Sequence, residues 1–189
     1  LPSYMHAEHA VKALEKGMNV LVEKPVCLTE EDCQMLLEAE KKSGKKVMVG
    51  QVVRSFEEYK YLKEAYDTKK FGKLKSITME RISGDVKWGF EDWFHKEEKS
   101  GSVVLDLHVH DLDFLRYMLG EPDSFQVKAS SFASGMINHI ITEYEFGDVF
   151  ATAEGIWDES PAMKFHAAFR AHFEDATIEF NGAQSPSLT

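Results

Sequence analysis

A change of hydrophobic pattern near Val53 constrains this chain more than any other feature of its sequence. Ahead of it, helix-like and strand-like periods alternate with short connections. From His6 the apolar residues Ala7, Ala10, Val11 and Leu14 recur at helical spacing, and Gly17 follows where a left-handed cap would sit. Residues 19–23 carry the compact run Val20, Leu21, Val22, too short for a helix and flanked by Gly17 and Pro25, so they read as a buried parallel strand. Thr29 with Asp32 approximates a capping box for a helix that stops at Ser43 and Gly44. A second strand is expected over 47–53. This order is the crossover unit of a doubly wound sheet, although so few elements cannot enclose a core alone.

After Val53 the pattern differs. A charged amphipathic helix is expected over 57–68, a strand over 74–82, and a polar, aromatic loop through Trp88 and Trp93. An apolar helix follows Gly101 and stops at Gly120 and Pro122. From Ser124 onward the chain reads as successive strands (140–146, 149–156, 164–173 and 176–180), with a Gly147-Asp148 turn. The fold class is therefore α/β plus α+β: residues 1–53 as the back part of an incomplete dinucleotide-binding domain, and 54–189 as an α+β domain with a broad, mostly antiparallel open sheet. The tail 184–189 is expected to fray.

Apolar and charged fractions of 43% and 29% suit a globular protein of 189 residues. The net charge of −10 is spread along the chain and disfavours nucleic acid or anionic lipid as partners. No run approaches the ~18 to 20 apolar residues of a membrane span, so a cytoplasmic location is the default. Cys27 and Cys33 are too few for a disulfide framework or metal site and read as reduced thiols. The start at Leu1-Pro2, within a few residues of a helix, reads as an excerpt from a longer protein.

Two clusters carry chemistry. Lys24 lies just past the carboxyl end of a strand, where ligands bind in open α/β sheets, and a cis Lys24-Pro25 bond would make a turn able to aim it inward. In the helix after Gly101, Asp106, His110 and Asp113 fall at i, i+4 and i+7 on one face. Were that segment a strand, Asp106, His108 and His110 would share a face and resemble the metal sites of amidohydrolase-type enzymes. Such a barrel needs further ligands over about 200 residues, more than remain. A plain Asp–His pair within a helical core is the third reading.

Taken in order, these residues resemble the Gfo/Idh/MocA family, the glucose-fructose oxidoreductase and inositol dehydrogenase group. Pro2 and His6 match its Pro-x-x-x-His helix start, and Ala13, Leu14, Gly17 and Val20 its Ala-Leu-x-x-Gly-x-x-Val stretch. Glu23-Lys24-Pro25 matches its Glu-Lys-Pro signature, Arg54 the arginine after the last nucleotide-domain strand, Phe71-Gly72-Lys73-Leu74 the helix-to-strand junction at the start of the second domain, and Asp106 with His110 its Asp-x-x-x-His motif. The chain departs from the family at Gly101-Ser102-Val103, where glycines are common, and at His108, where a small residue is frequent. No Gly-x-Gly-x-x-Gly turn occurs to seat a pyrophosphate.

The resemblance implies a Rossmann-type layer followed by an α+β domain, and an oxidoreductase moving hydride between NAD or NADP and a secondary hydroxyl of a sugar, polyol or cyclitol. It implies Lys24, Asp106 and His110 as catalytic, with no metal. Pro2, His6, Glu23, Lys24 and Arg54 would lie toward the cofactor, Arg54 equally suiting an interdomain ion pair. Lys24, Asp106, His110, Trp88 and Trp93, with His95, would lie toward the substrate. Association of identical chains through the C-terminal sheet is expected. The alternative from another class is a non-catalytic relative that binds nucleotide or sugar. In the catalytic reading His110 removes the hydroxyl proton, Lys24 steadies the developing alkoxide, and Asp106 orients substrate or lysine.

Overall fold

The computed structural model describes residues 1–132, 135–160 and 162–189. The N-terminal layer contains α1 (His6–Glu15), β1 (Val20–Glu23), α2 (Glu30–Ser43) and β2 (Val47–Gly50). β1 and β2 pair in parallel, with Val20 opposite Val47 and Leu21 opposite Met48. One face of the pair is covered: Ala7, Ala10 and Leu14 of α1 meet Val22, Cys27 and Leu36 in a small core. Thr29 caps α2 by accepting a hydrogen bond from the Asp32 amide at 3.1 Å, and Gly44 ends the helix in the left-handed conformation that glycine adopts without strain.

The strand expected over 47–53 stops at Gly50. Val52–Ser55 instead forms a 3₁₀ turn, because Val53 is turned into the core of the following domain. β-Branched residues raised the strand expectation there, and tertiary burial overrides it.

That domain contains α3 (Glu57–Asp67), β3 (Leu74–Gly84), a short helix α4 (Glu97–Ser100), α5 (Val109–Leu119), β4 (Ser124–Ser131), β5 (Ile137–Phe146), β6 (Val149–Asp158), β7 (His166–Phe173) and β8 (Thr177–Asn181). Its six strands lie in the order β4-β5-β6-β3-β7-β8. β3 and β6 run parallel at the centre and the other neighbours are antiparallel. Alternation along β3 sends Ile77, Met79 and Arg81 inward and leaves Thr78 and Glu80 on the opposite face. α3 and α5 cover the inner face, where Tyr59 stands edge-on to Phe114 (4.9 Å), Phe169 (5.2 Å) and Phe180 (5.8 Å).

The tail does not fray as expected. Glu179 and Thr189 exchange two backbone hydrogen bonds of 2.8 Å, the Asn181 amide donates to the Ser187 carbonyl, and Leu188 packs on the core. An apolar residue beside an open strand edge gives these small polar residues a place to dock.

Candidate active site

Lys24 leaves the end of β1 on a cis bond to Pro25. The turn is held from below by His6, which is buried in α1: its Nδ1 donates to the Pro25 carbonyl at 2.8 Å, and its Nε2 lies 3.1 Å from the Leu1 carbonyl. From this turn Lys24 Nζ reaches the other domain and donates to Asp106 twice, to Oδ1 at 2.6 Å and to the backbone carbonyl at 2.7 Å. Both side chains are largely shielded, at 20% and 17% exposure, so this charge-assisted contact is only partly screened by water.

The backbone of Asp106 is part of the design. Helical structure runs over 102–119, but Val104–His108 form a π turn in which the Val109 amide reaches back to the Val104 carbonyl. Such widened turns free individual carbonyls for outside donors and recur at functional sites. Here the Asp106 carbonyl takes Lys24. Because the segment is helical, the strand-face grouping of Asp106, His108 and His110 does not form, and no group of residues suited to hold a metal ion is found among the described residues.

His110 follows one turn later and is buried. Its Nδ1 has no partner among the described residues. Burial foremost, then the positive charges of Lys24 and Arg81, push the imidazole down to about 3, so it is neutral at working pH. His108 points to the sheet, where Nε2 shares hydrogen bonds with Thr142 Oγ1 (3.0 Å) and Tyr144 Oη (3.2 Å), and burial pushes it down to about 4.

Sequence reasoning missed a third group. Asp111 is fully buried, and Arg81 beside it is 4% exposed. Arg81 Nη2 donates to Asp111 Oδ1 at 2.8 Å and to Tyr59 Oη at 3.1 Å, and its Nε donates to Asp111 Oδ2 at 3.3 Å. The available signal was a charge at an inward position of β3 and another inside an apolar helix.

Other expected residues are engaged elsewhere. Arg54, expected toward the cofactor, is the ion pair between the layers: its guanidinium grips both Asp113 oxygens, with Nε donating at 2.7 Å, and stacks 4.7 Å from the Tyr117 ring centre. Asp113 is thereby paired with Arg54. Both ring nitrogens of His6 face backbone carbonyls, so its contact is with the Lys24-Pro25 turn. Trp93 stacks on Phe94 at 3.8 Å and Trp88 stands edge-on to Phe94 at 4.8 Å, with Trp88 mostly exposed. None of these ring contacts is with Lys24, Asp106 or His110. His95 sits between Asp85 (2.6 Å) and Asp92, whose hydrogen bonds raise its pKa. Glu23 is exposed at the end of β1, and Pro2 opens the turn before α1, its carbonyl accepting from the Met5 amide.

Comparison with known proteins yields one family twice. Residues 59–184 match the GFO/IDH/MocA C-terminal domain, and residues 1–51 match the oxidoreductase family with an NAD-binding Rossmann fold. The chain is 25% identical over 183 residues to the 1,5-anhydro-D-fructose reductase of Ensifer adhaerens, covering 95% of this chain and 52% of that protein. It is 31% identical over 133 residues to the D-glucoside 3-dehydrogenase of Escherichia coli, covering 69% of this chain and 37% of the relative. In fold it resembles the WlbA dehydrogenase from Bordetella pertussis, solved with NADH and UDP-GlcNAcA, with a TM-score of 0.87 at 17% identity, over 100% of this chain and 56% of that one. The chain thus spans about half the length of such relatives or less.

Proposed function

Because the chain belongs to the GFO/IDH/MocA oxidoreductase family, we propose that it forms the catalytic surface of an NAD(P)-dependent dehydrogenase acting on a secondary hydroxyl of a sugar, polyol or cyclitol. The observation that carries this reading is the contact of Lys24 with Asp106, 82 positions apart in sequence, beside a buried neutral His110. It assembles a cation, its orienting carboxylate and a proton acceptor at the carboxyl end of a parallel strand.

The residues present suit a nicotinamide. Gln51 Oε1, buried just past β2 without a partner among the described residues, is an acceptor of the kind a carboxamide N–H satisfies. Glu23 and Pro2 flank the same end of the layer. When bound, the cofactor supplies the acceptor for the hydrogen on the reacting carbon. His110 takes the hydroxyl proton on Nε2, Nδ1 being sealed in the interior. Lys24 has three N–H groups; Asp106 holds two, which leaves the third to donate to the substrate oxygen as negative charge grows there. Asp106 fixes that direction and offsets part of the lysine's charge, which by itself opposes protonation of His110.

Trp93 packs against the cluster that holds Leu107, the residue after Asp106, and with Trp88 and His95 of the same loop it is assigned to the outer wall for the sugar, aromatic faces suiting its C–H surfaces. The choice of NAD or NADP and of the particular sugar lies with groups outside this set. The helix-free outer face of the six-stranded sheet, where Ile141, Phe150 and Ile156 alternate with the His139–Glu154 pair, is the surface for association of identical chains.

In the full-length protein, Lys24→Ala and His110→Ala should each lower the rate of NAD(P)H formation from a responsive polyol by about 10² or more, with melting temperature little changed. Wild-type turnover in His110→Ala would remove its assigned role. Tight sugar binding without any turnover in the parent would move the protein to the non-catalytic class.

A further inference from the structure

The Arg81–Asp111–Tyr59 group has no part in the chemistry above, yet it adjoins His110 in sequence and joins β3, α5 and α3 at one point. Stability does not account for it. A buried ion pair is commonly no more stabilising than well-packed apolar residues of the same volume, whereas its loss on one side is costly. What it supplies is direction. The guanidinium meets both carboxylate oxygens, which limits rotation of the helix about its own axis. That limit matters here because the π turn immediately upstream interrupts the regular ladder and leaves the phase of α5 relative to Asp106 to outside contacts.

We propose that Arg81, through Asp111 and Tyr59, is a positioning residue that sets the orientation of His110 over the sheet. The proposal rests on the reading of His110 as proton acceptor. The Arg81 charge is among the causes that keep His110 unprotonated, after burial and Lys24.

The test replaces the pair together, Arg81→Met with Asp111→Leu, so that no charge is left buried alone. Histidine-labelled protein is titrated by NMR, and full-length enzyme is assayed in parallel. The expected result is a retained fold, kcat lowered about a hundredfold and, as the imidazole loses its fixed buried orientation, a His110 titration displaced toward the ordinary histidine value. A His110 titration and kcat equal to the parent's overturn the proposal. Should the double variant not fold, Tyr59→Phe removes only the hydroxyl from Arg81 and should lower kcat about fivefold; an unchanged kcat and titration there overturn it equally. Failure of the underlying reading is recognised separately: His110→Ala would then turn over like the parent, while the NMR titration would still report what Arg81 does to the imidazole.

Discussion

A histidine that the fold keeps neutral makes the fold sensitive to acid. His108 is held down to about 4 by burial alone, against an ordinary value near 6.5 in the unfolded chain. Above about 6.5 neither state binds the proton and the full stability is present. Between there and about 4 the unfolded chain takes up a proton that the folded one refuses, so stability falls as pH falls, by on the order of 3 kcal/mol at most for this residue. His110 adds to the same loss and extends it toward 3. His108→Gln keeps an acceptor for Thr142 and Tyr144 but does not titrate, so its melting temperature should drop less than the parent's between pH 7 and 4.5. An equal drop in both would assign the acid sensitivity elsewhere. The same residues show what a sequence conveys at this scale. Lys24, Asp106 and His110 stood out because their types and order follow one pattern. Arg81 and Asp111 did not, and the contacts of His108 could not be read, because their meaning comes from partners 22 to 36 positions away.

The spacing between elements decides where those partners land. Gly155 in β6 lies under the π turn, where an added Cβ would meet His108 Cβ at 3.2 Å and the His108 amide nitrogen at 3.5 Å. The helix approaches the sheet this closely because β6 has no side chain there. Gly155→Val should therefore cost about 1 to 3 kcal/mol in denaturant unfolding, by pushing 104–108 off the sheet. A variant of unchanged stability would mean that the turn moves freely. By contrast, Thr29→Ala should cost only about 1 kcal/mol, since it removes one cap at an exposed helix start. Most elements were legible from period and punctuation: Gly17, Gly44 and Gly120 mark helix ends, and β3 alternates cleanly. The π turn was not, because it follows from packing against Gly155 and capture by Lys24, neither of which is a property of the 104–108 segment.

At the scale of the molecule, the two sheets differ in how completely they are buried. The six-stranded sheet has a helix-covered face with an extensive aromatic core. The β1–β2 pair has helices on one face only, and on the other Leu21 and Met48 stand side by side at 66% and 69% exposure. Parallel strands are ordinarily buried on both faces, and a sheet of two short strands is marginal by itself. The alternating helix and strand pattern made the α/β type of this layer legible, whereas the bare face could be seen only once the strands were paired. The layer is tied to the rest through Lys24–Asp106, through Arg54–Asp113 and through the turn at Ser3–Met5, which packs on α4 with Lys99 Nζ 5.1 Å from the Tyr4 ring centre. In these 189 residues taken by themselves it should consequently open as a unit below the free energy of global unfolding. In native-state hydrogen exchange, amides of β1 and β2 should exchange faster than those of β3, β6 and β7. Arg54→Ala, which cuts one tie without touching either core, should widen that difference while leaving exchange in the central strands unchanged. Uniform protection across both sheets, or equal acceleration of β1 and β3 in the variant, would show that the layers unfold as one body and that the two ion pairs are not what couples them.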